Sequence, residues 1–165
     1  MGQADEYLST VSMSEHYQKA ARQFQGFAGG ESAWQEHYSY IETVFRYLSL
    51  KCEIAECLEP AYKSKNTAAL TWICDDLLPE LLKLAQSCHG QHKKQWLAYC
   101  KPFGWEVLDQ RYGGTEARIV TAMERLRAYI NGEIPCLEEL EEKRLPMTVS
   151  PWNTFRRIAS PSADF

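Results

Sequence analysis

Apolar residues recur at steps of three and four from Trp34 through Tyr38, Ile41, Phe45, Leu48, Cys52, Ala55 and Leu58 to Tyr62. Steps of three and four place all of them on one face of a helix. The run therefore predicts a single helix from about Ser32 to Lys63. At about 1.5 Å per residue it would be close to 50 Å long. Pro60 falls in its last turn, where a missing N–H and a ring clash should bend or end it.

The rest of the chain also reads as helix. Ser14 is a candidate N-cap for a first helix over about Glu15–Gln25, burying Tyr17, Ala20, Ala21 and Phe24, with Gly26, Gly29 and Gly30 as the stop. Asn66 or Thr67 starts a third helix whose buried side is Leu70, Ile73, Leu77, Leu81, Leu84, Cys88, His92, Trp96 and Tyr99. Pro79 interrupts this pattern and predicts a kink near Leu78. Lys101-Pro102-Phe103-Gly104 breaks the chain. A fourth helix follows over about Trp105–Asn131, with Trp105, Leu108, Tyr112, Ile119, Ala122, Leu126 and Tyr129 on its apolar face.

Gly113 and Gly114 lie inside that helix, where each costs about 1 kcal/mol relative to alanine. Close approach of a neighbouring backbone is the expected compensation. A short acidic helix is expected around Leu137–Lys143. Four of the seven prolines follow Gly132, and the end from Leu145 to Phe165 shows no helical period. It still carries Trp152, Phe155 and Ile158, so it is expected to be extended and to dock on a surface.

The expected fold is all-α: an antiparallel bundle of three long helices plus a shorter N-terminal helix, with an extended C-terminal tail. Residues 1–13 are expected as a disordered or cloning-derived lead, 14–145 as the bundle and 146–165 as the docking tail.

Charge and cysteine content restrict function. With 18 Lys+Arg against 22 Asp+Glu the net charge is −4, so no nucleic-acid surface is expected. No apolar run approaches the roughly 18 residues of a membrane span, so no membrane partner is expected. The first residues lack a basic stretch followed by an apolar one, so no secretory signal is read and a cytoplasmic location is expected. Cys52, Cys57, Cys74, Cys88, Cys100 and Cys136 form no C-x-x-C pair. Most sit beside Leu, Ile and Ala in helical segments, which fits reduced, buried thiols packing as small hydrophobes.

The search for catalytic chemistry is largely negative. Cys88-His89-x-x-His92 gathers three metal-ligand types, but no second cluster lies at a fitting spacing, so no metal site is assigned. The adjacent acids Asp75-Asp76, Glu138-Glu139 and Glu141-Glu142 fall on polar helix faces and read as solvated surface. No nucleophile elbow, P-loop or dinucleotide fingerprint is present, and no cofactor is expected. One charged pattern is less ordinary: Arg111, Arg118 and Arg125 are spaced seven and seven on the fourth helix, flanked by Glu106, Asp109 and Glu116. It reads either as a solvated face or, with the Gly113-Gly114 notch, as a contact for another domain or subunit.

His92-x-x-x-Trp96, Lys101-Pro102-Phe103-Gly104-Trp105-Glu106-Val107, Asp109-x-Arg111-x-Gly113-Gly114 and Arg118 together resemble the C-terminal helical domain of bacterial family 20 β-N-acetylhexosaminidases. The similarity continues through Tyr129-Ile130-Asn131-Gly132, the acidic Leu137–Glu142 and the end from Trp152 to Ser162. The resemblance implies a parent glycosidase that removes terminal N-acetylhexosamine, using the substrate's own acetamide as nucleophile. Its Asp-Glu pair belongs to a (β/α)₈ barrel of about 250 residues, which this chain is too short to contain. No catalytic residue is therefore carried over, and the chain alone is expected to be inactive.

The implied partner is the catalytic barrel of the same polypeptide, with a homodimer as a further expectation. Glu106, Asp109, Arg111, Arg118, Gly113 and Gly114 are the candidate interface or substrate-mouth residues. Trp152, Phe155 and Ile158 are the candidate tail anchors. The alternative readings are a stand-alone helical interaction module and a metal- or cofactor-binding bundle built on His89 and His92.

Overall fold

A computed structural model describes residues 11–30 and 33–142. It consists of α1 (Met13–Ala28), α2 (Gln35–Lys63), α3 (Thr67–Trp72), α4 (Leu78–Tyr99), α5 (Trp105–Ile130) and α6 (Glu138–Glu141). A π-helical turn, Ile73–Leu77, joins α3 to α4. No strand occurs among the described residues. The all-α bundle expected from the periodicity is present. The tail residues Trp152, Phe155 and Ile158 lie outside the described residues.

Local chemistry explains most helix boundaries. Ser12, rather than Ser14, caps α1: its hydroxyl accepts the Glu15 N–H at 3.2 Å. Ser14 instead meets Ser49 of α2, whose hydroxyl donates to the Ser14 carbonyl at 2.9 Å. α1 runs through Gly26 to Ala28 because Phe24 and Phe27 both pack on Tyr38 of α2, at ring distances of 6.3 and 5.5 Å. Asn66 caps α3 by accepting the Ala69 N–H at 3.1 Å. Gly104 opens α5 with φ +93°, a conformation that favours glycine, and its N–H donates to the Glu106 carboxylate at 2.8 Å.

Pro79 does not break the third helix. It has no N–H to give the carbonyl one turn back, and its ring would press on that carbonyl. The preceding turn widens, and the Leu78 N–H bonds to the Ile73 carbonyl five residues earlier. The irregularity expected near Leu78 is this π turn.

α2 has two apolar sides. Tyr38 and Phe45 face α1, where Phe45 stacks with Tyr17 and contacts Phe24. Thr43, Ile54 and Ala61 are the buried positions on the side facing α4 and α5. The first part of the periodic run, Tyr38 and Phe45, follows the α1 side, while Leu58 and Tyr62 pack against the main core, and Trp34, expected on a buried face, is 60 % exposed. Tyr99 and Ala122, also expected inside, are exposed as well.

α2, α4 and α5 thus form a three-helix bundle, with α1 packed on the outer side of α2. The bundle has two unlike halves. At the end near α6, Leu70, Ile73 and Cys74 are almost fully buried among Ile54, Leu78, Leu81, Leu126 and Leu137. Burying one such Leu or Ile contributes roughly 1.5–3 kcal/mol. At the other end, where α1 meets α2 and α4 meets α5, aromatic rings and polar groups replace the aliphatic core.

Candidate docking face and the histidine network

Residues three, four and seven apart on a helix share a face. His89 and His92 on α4 therefore point together, as do Trp105, Asp109, Tyr112 and Glu116 on α5. The antiparallel pairing of the two helices brings these sets into contact. His89 Nε2 lies 2.8 Å from Asp109 Oδ1 and its Nδ1 3.2 Å from Glu116 Oε1. The His89 ring stacks on Tyr112 with centroids 4.7 Å apart and 8° between planes. Trp105 donates its indole N–H to the same Asp109 oxygen at 2.6 Å. The hydrogen bond from His89, then that from Trp105, holds the Asp109 carboxyl below the usual carboxylate range.

His92 has a different surrounding. Its Nδ1 is 3.0 Å from the Tyr112 hydroxyl, which is 3.3 Å from the Tyr40 hydroxyl of α2. Tyr40 stacks on the His92 ring at 5.3 Å, and Trp105 meets it edge-on at 5.3 Å. Burial, and to a lesser extent the neighbouring His89, lowers the His92 pKa from its ordinary value. Burial also raises Tyr112, and it pushes the nearby Cys88 thiol up to about 11, which makes that cysteine a poor nucleophile.

The expected interface residues divide into two groups. Asp109 turns inward to His89 and Trp105, and Glu106 folds back on Gly104. Neither adds to an outward charge stripe. Arg111 lies about 160° around the helix from Asp109, at 100° per residue. Arg111 and Arg118 form no ion pair with a described residue, and Arg118 is exposed. Arg125 leaves the stripe and binds Glu138 and Glu139 of α6, anchoring that short helix.

No described residue makes the expected close contact at Gly113 and Gly114. A Cβ at either position would meet nothing within 4 Å, apart from the helix's own backbone. Both are exposed on the outer side of α5.

The adjacent acids are all exposed, in keeping with a solvated surface, and four of them also make surface contacts. Asp75 pairs with Arg127, Glu138 and Glu139 with Arg125, and Glu141 accepts the Tyr62 hydroxyl at 2.7 Å. Among the described residues, no group of three or more His, Cys, Asp and Glu is arranged to hold a metal ion. A groove of about 490 Å³ runs between α1, α2 and α4 past Gln18, Arg22, Glu42, Arg46, Glu53 and Glu80. It is open and contains none of the predicted site residues.

Fold and side chains together define a helical domain with many of its charged groups paired with one another and an outer α5 surface that no other described element covers. The family model described as the Glycoside Hydrolase 20C C-terminal domain matches residues 1–157, and the chain belongs to that family. It is thus an accessory domain of glycoside hydrolases, linked in such an enzyme to a catalytic domain. No curated protein matches the chain significantly. No helix of the described residues is long and apolar enough to cross a membrane.

Proposed function

We propose that the chain is the accessory domain of a bacterial, cytoplasmic β-N-acetylhexosaminidase, and that it packs on the catalytic barrel of the same polypeptide through the outer face of α5. The observation that carries this reading is the pairing of two guanidiniums that form no ion pair with a described residue, Arg111 and Arg118, with a glycine notch beside them that no described residue fills. Arginine can hold a neighbour's carboxylates or carbonyls through two parallel hydrogen bonds. Adjacent glycines let a neighbouring backbone come close. Asp109 and Glu106 already have partners within the chain, so Arg111 and Arg118 are taken as the leading contact groups. The tail residues Trp152, Phe155 and Ile158 are assigned to fastening the domain to the same neighbour. The parent enzyme removes terminal N-acetylhexosamine, and its reacting carboxylates come from the barrel.

A homodimer contact is a second reading, favoured by the opposite end of the bundle. There Phe27, Leu97, Tyr99 and Phe103 are exposed, Phe103 at 87 %. Clustered apolar side chains of this kind mark interaction surfaces.

The test is Arg111→Ala with Arg118→Ala in the full-length enzyme. The expected result is a lower melting temperature and a raised KM with kcat largely kept, as loss of positioning rather than chemistry predicts. Unchanged kinetics, stability and oligomeric state together would reduce the stripe to a solvated face.

A further inference from the structure

His89 and His92 are one turn apart on α4, half-buried, and face the same helix, yet their surroundings are electrically opposite. His89 has a carboxylate at each ring nitrogen, Asp109 and Glu116. A ring N–H donates to one of them in the neutral form and to both in the imidazolium. Lys93, 3.9 Å from Asp109, adds one more cation to that group. His92 has no carboxylate partner among the described residues. From α2 it is faced by Tyr40, and from α5 by Tyr112 and Trp105. On α4 itself its neighbours are His89 and Trp96. Glu36, in the first turn of α2, is paired with Lys94.

We propose that His92 is an acid-sensitive latch that holds the loop end of the bundle shut, joining α4 to α5 through Tyr112 and to α2 through Tyr40. A proton on His92 creates a cation among aromatic rings and phenols, beside a second histidine, with no anion to receive it. Opening to water relieves that charge. The aliphatic half, built on Leu70, Ile73 and Leu126, has no titrating group of this kind and stays closed. The sign follows from linkage. The folded pKa of His92 is lowered, so the open state takes up the proton first. The latch is therefore at full strength above the ordinary histidine value of 6.5 and weakens as pH falls below it.

The experiment is amide exchange on the whole 165-residue chain between pH 7.5 and 5, corrected for intrinsic rates, alongside an NMR titration of the His92 ring. Below pH 6.5 the opening equilibrium of the facing ends, 89–99 and 105–112, should rise by up to about tenfold per pH unit, the limit for one proton. Residues 67–85 and 119–130 should not follow. The His92 ring should titrate below the usual histidine range, in step with the opening. His92→Gln, which keeps a hydrogen-bonding side chain without the titration, should flatten the step. Three results would overturn the proposal: a uniform acid response along the chain, an equal step in His92→Gln, or His92 titrating as an ordinary histidine without local opening.

Discussion

Asp109 and Arg111 are two positions apart, and the helix sends them to opposite sides. The aspartate enters a network that binds α5 to α4, while the arginine faces outward. Sequence reading grouped them because both flank the glycine pair. The rotation of about 200° between positions i and i+2 separates them. The network could have been read in part. His89 and His92 at i and i+3, opposite Asp109, Tyr112 and Glu116 at i, i+3 and i+7, are two matching half-sites, but the register between helices is needed to join them. The same residues set the acid response. Asp109 and Glu139 are both held below their ordinary values, by the His89 and the Arg125 hydrogen bonds respectively. Each contributes stability that is present above the ordinary carboxylate range and lost as pH falls through its lowered value. At the core end, Leu70 is 1 % exposed. Leu70→Ala should lower unfolding free energy by about 2–5 kcal/mol, read from the urea midpoint at unchanged slope. A loss under about 1 kcal/mol would mean that this half is not packed as described.

Helix existence and length were legible because the three-and-four spacing is sustained over many turns in α2, α4 and α5. Faces were less legible. α2 is enclosed from two sides, so a single best stripe captures only part of each, and Thr43, Ile54 and Ala61 fall off it. The π turn was visible only as a proline in the wrong place. Sequence gives the conflict at Pro79, and tertiary packing decides whether the helix breaks, kinks or widens. Gly113 and Gly114 present the opposite case. Their cost inside α5 reads as a sign of close packing, but no described residue comes within 4 Å of an added Cβ, the helix's own backbone aside. Gly113→Ala with Gly114→Ala should therefore raise the stability of the isolated chain, by about 0.5–1 kcal/mol per site, as a higher melting temperature. In the full-length enzyme the same pair should weaken assembly, because the added methyl groups fill the notch assigned to the catalytic domain. A destabilised isolated chain would show that the outer face of α5 is already occupied.

At the scale of the molecule, the described residues form one aliphatic end, one aromatic and polar end, and one helix face whose Arg111 and Arg118 pair with no described residue. The family match across residues 1–157 places this arrangement at the C-terminal side of glycoside hydrolases. Sequence motifs gave the family, since Lys101–Val107 and the Asp109–Gly114 stretch lie at the α4–α5 corner and on the face of α5. They did not separate internal from external contacts, because both kinds of residue are interleaved on the same helix. The central claim is that the outer face of α5, uncovered by any other described element, is covered in the parent enzyme. Its most direct measurement is the rate at which an arginine-specific dicarbonyl reagent modifies Arg111 and Arg118, resolved by peptide mass, in the full-length enzyme and in the 165-residue chain. The account predicts that both arginines react markedly more slowly in the full-length enzyme, while Arg22 on α1 reacts alike in the two. Equal rates at Arg111 and Arg118 in both proteins would contradict it.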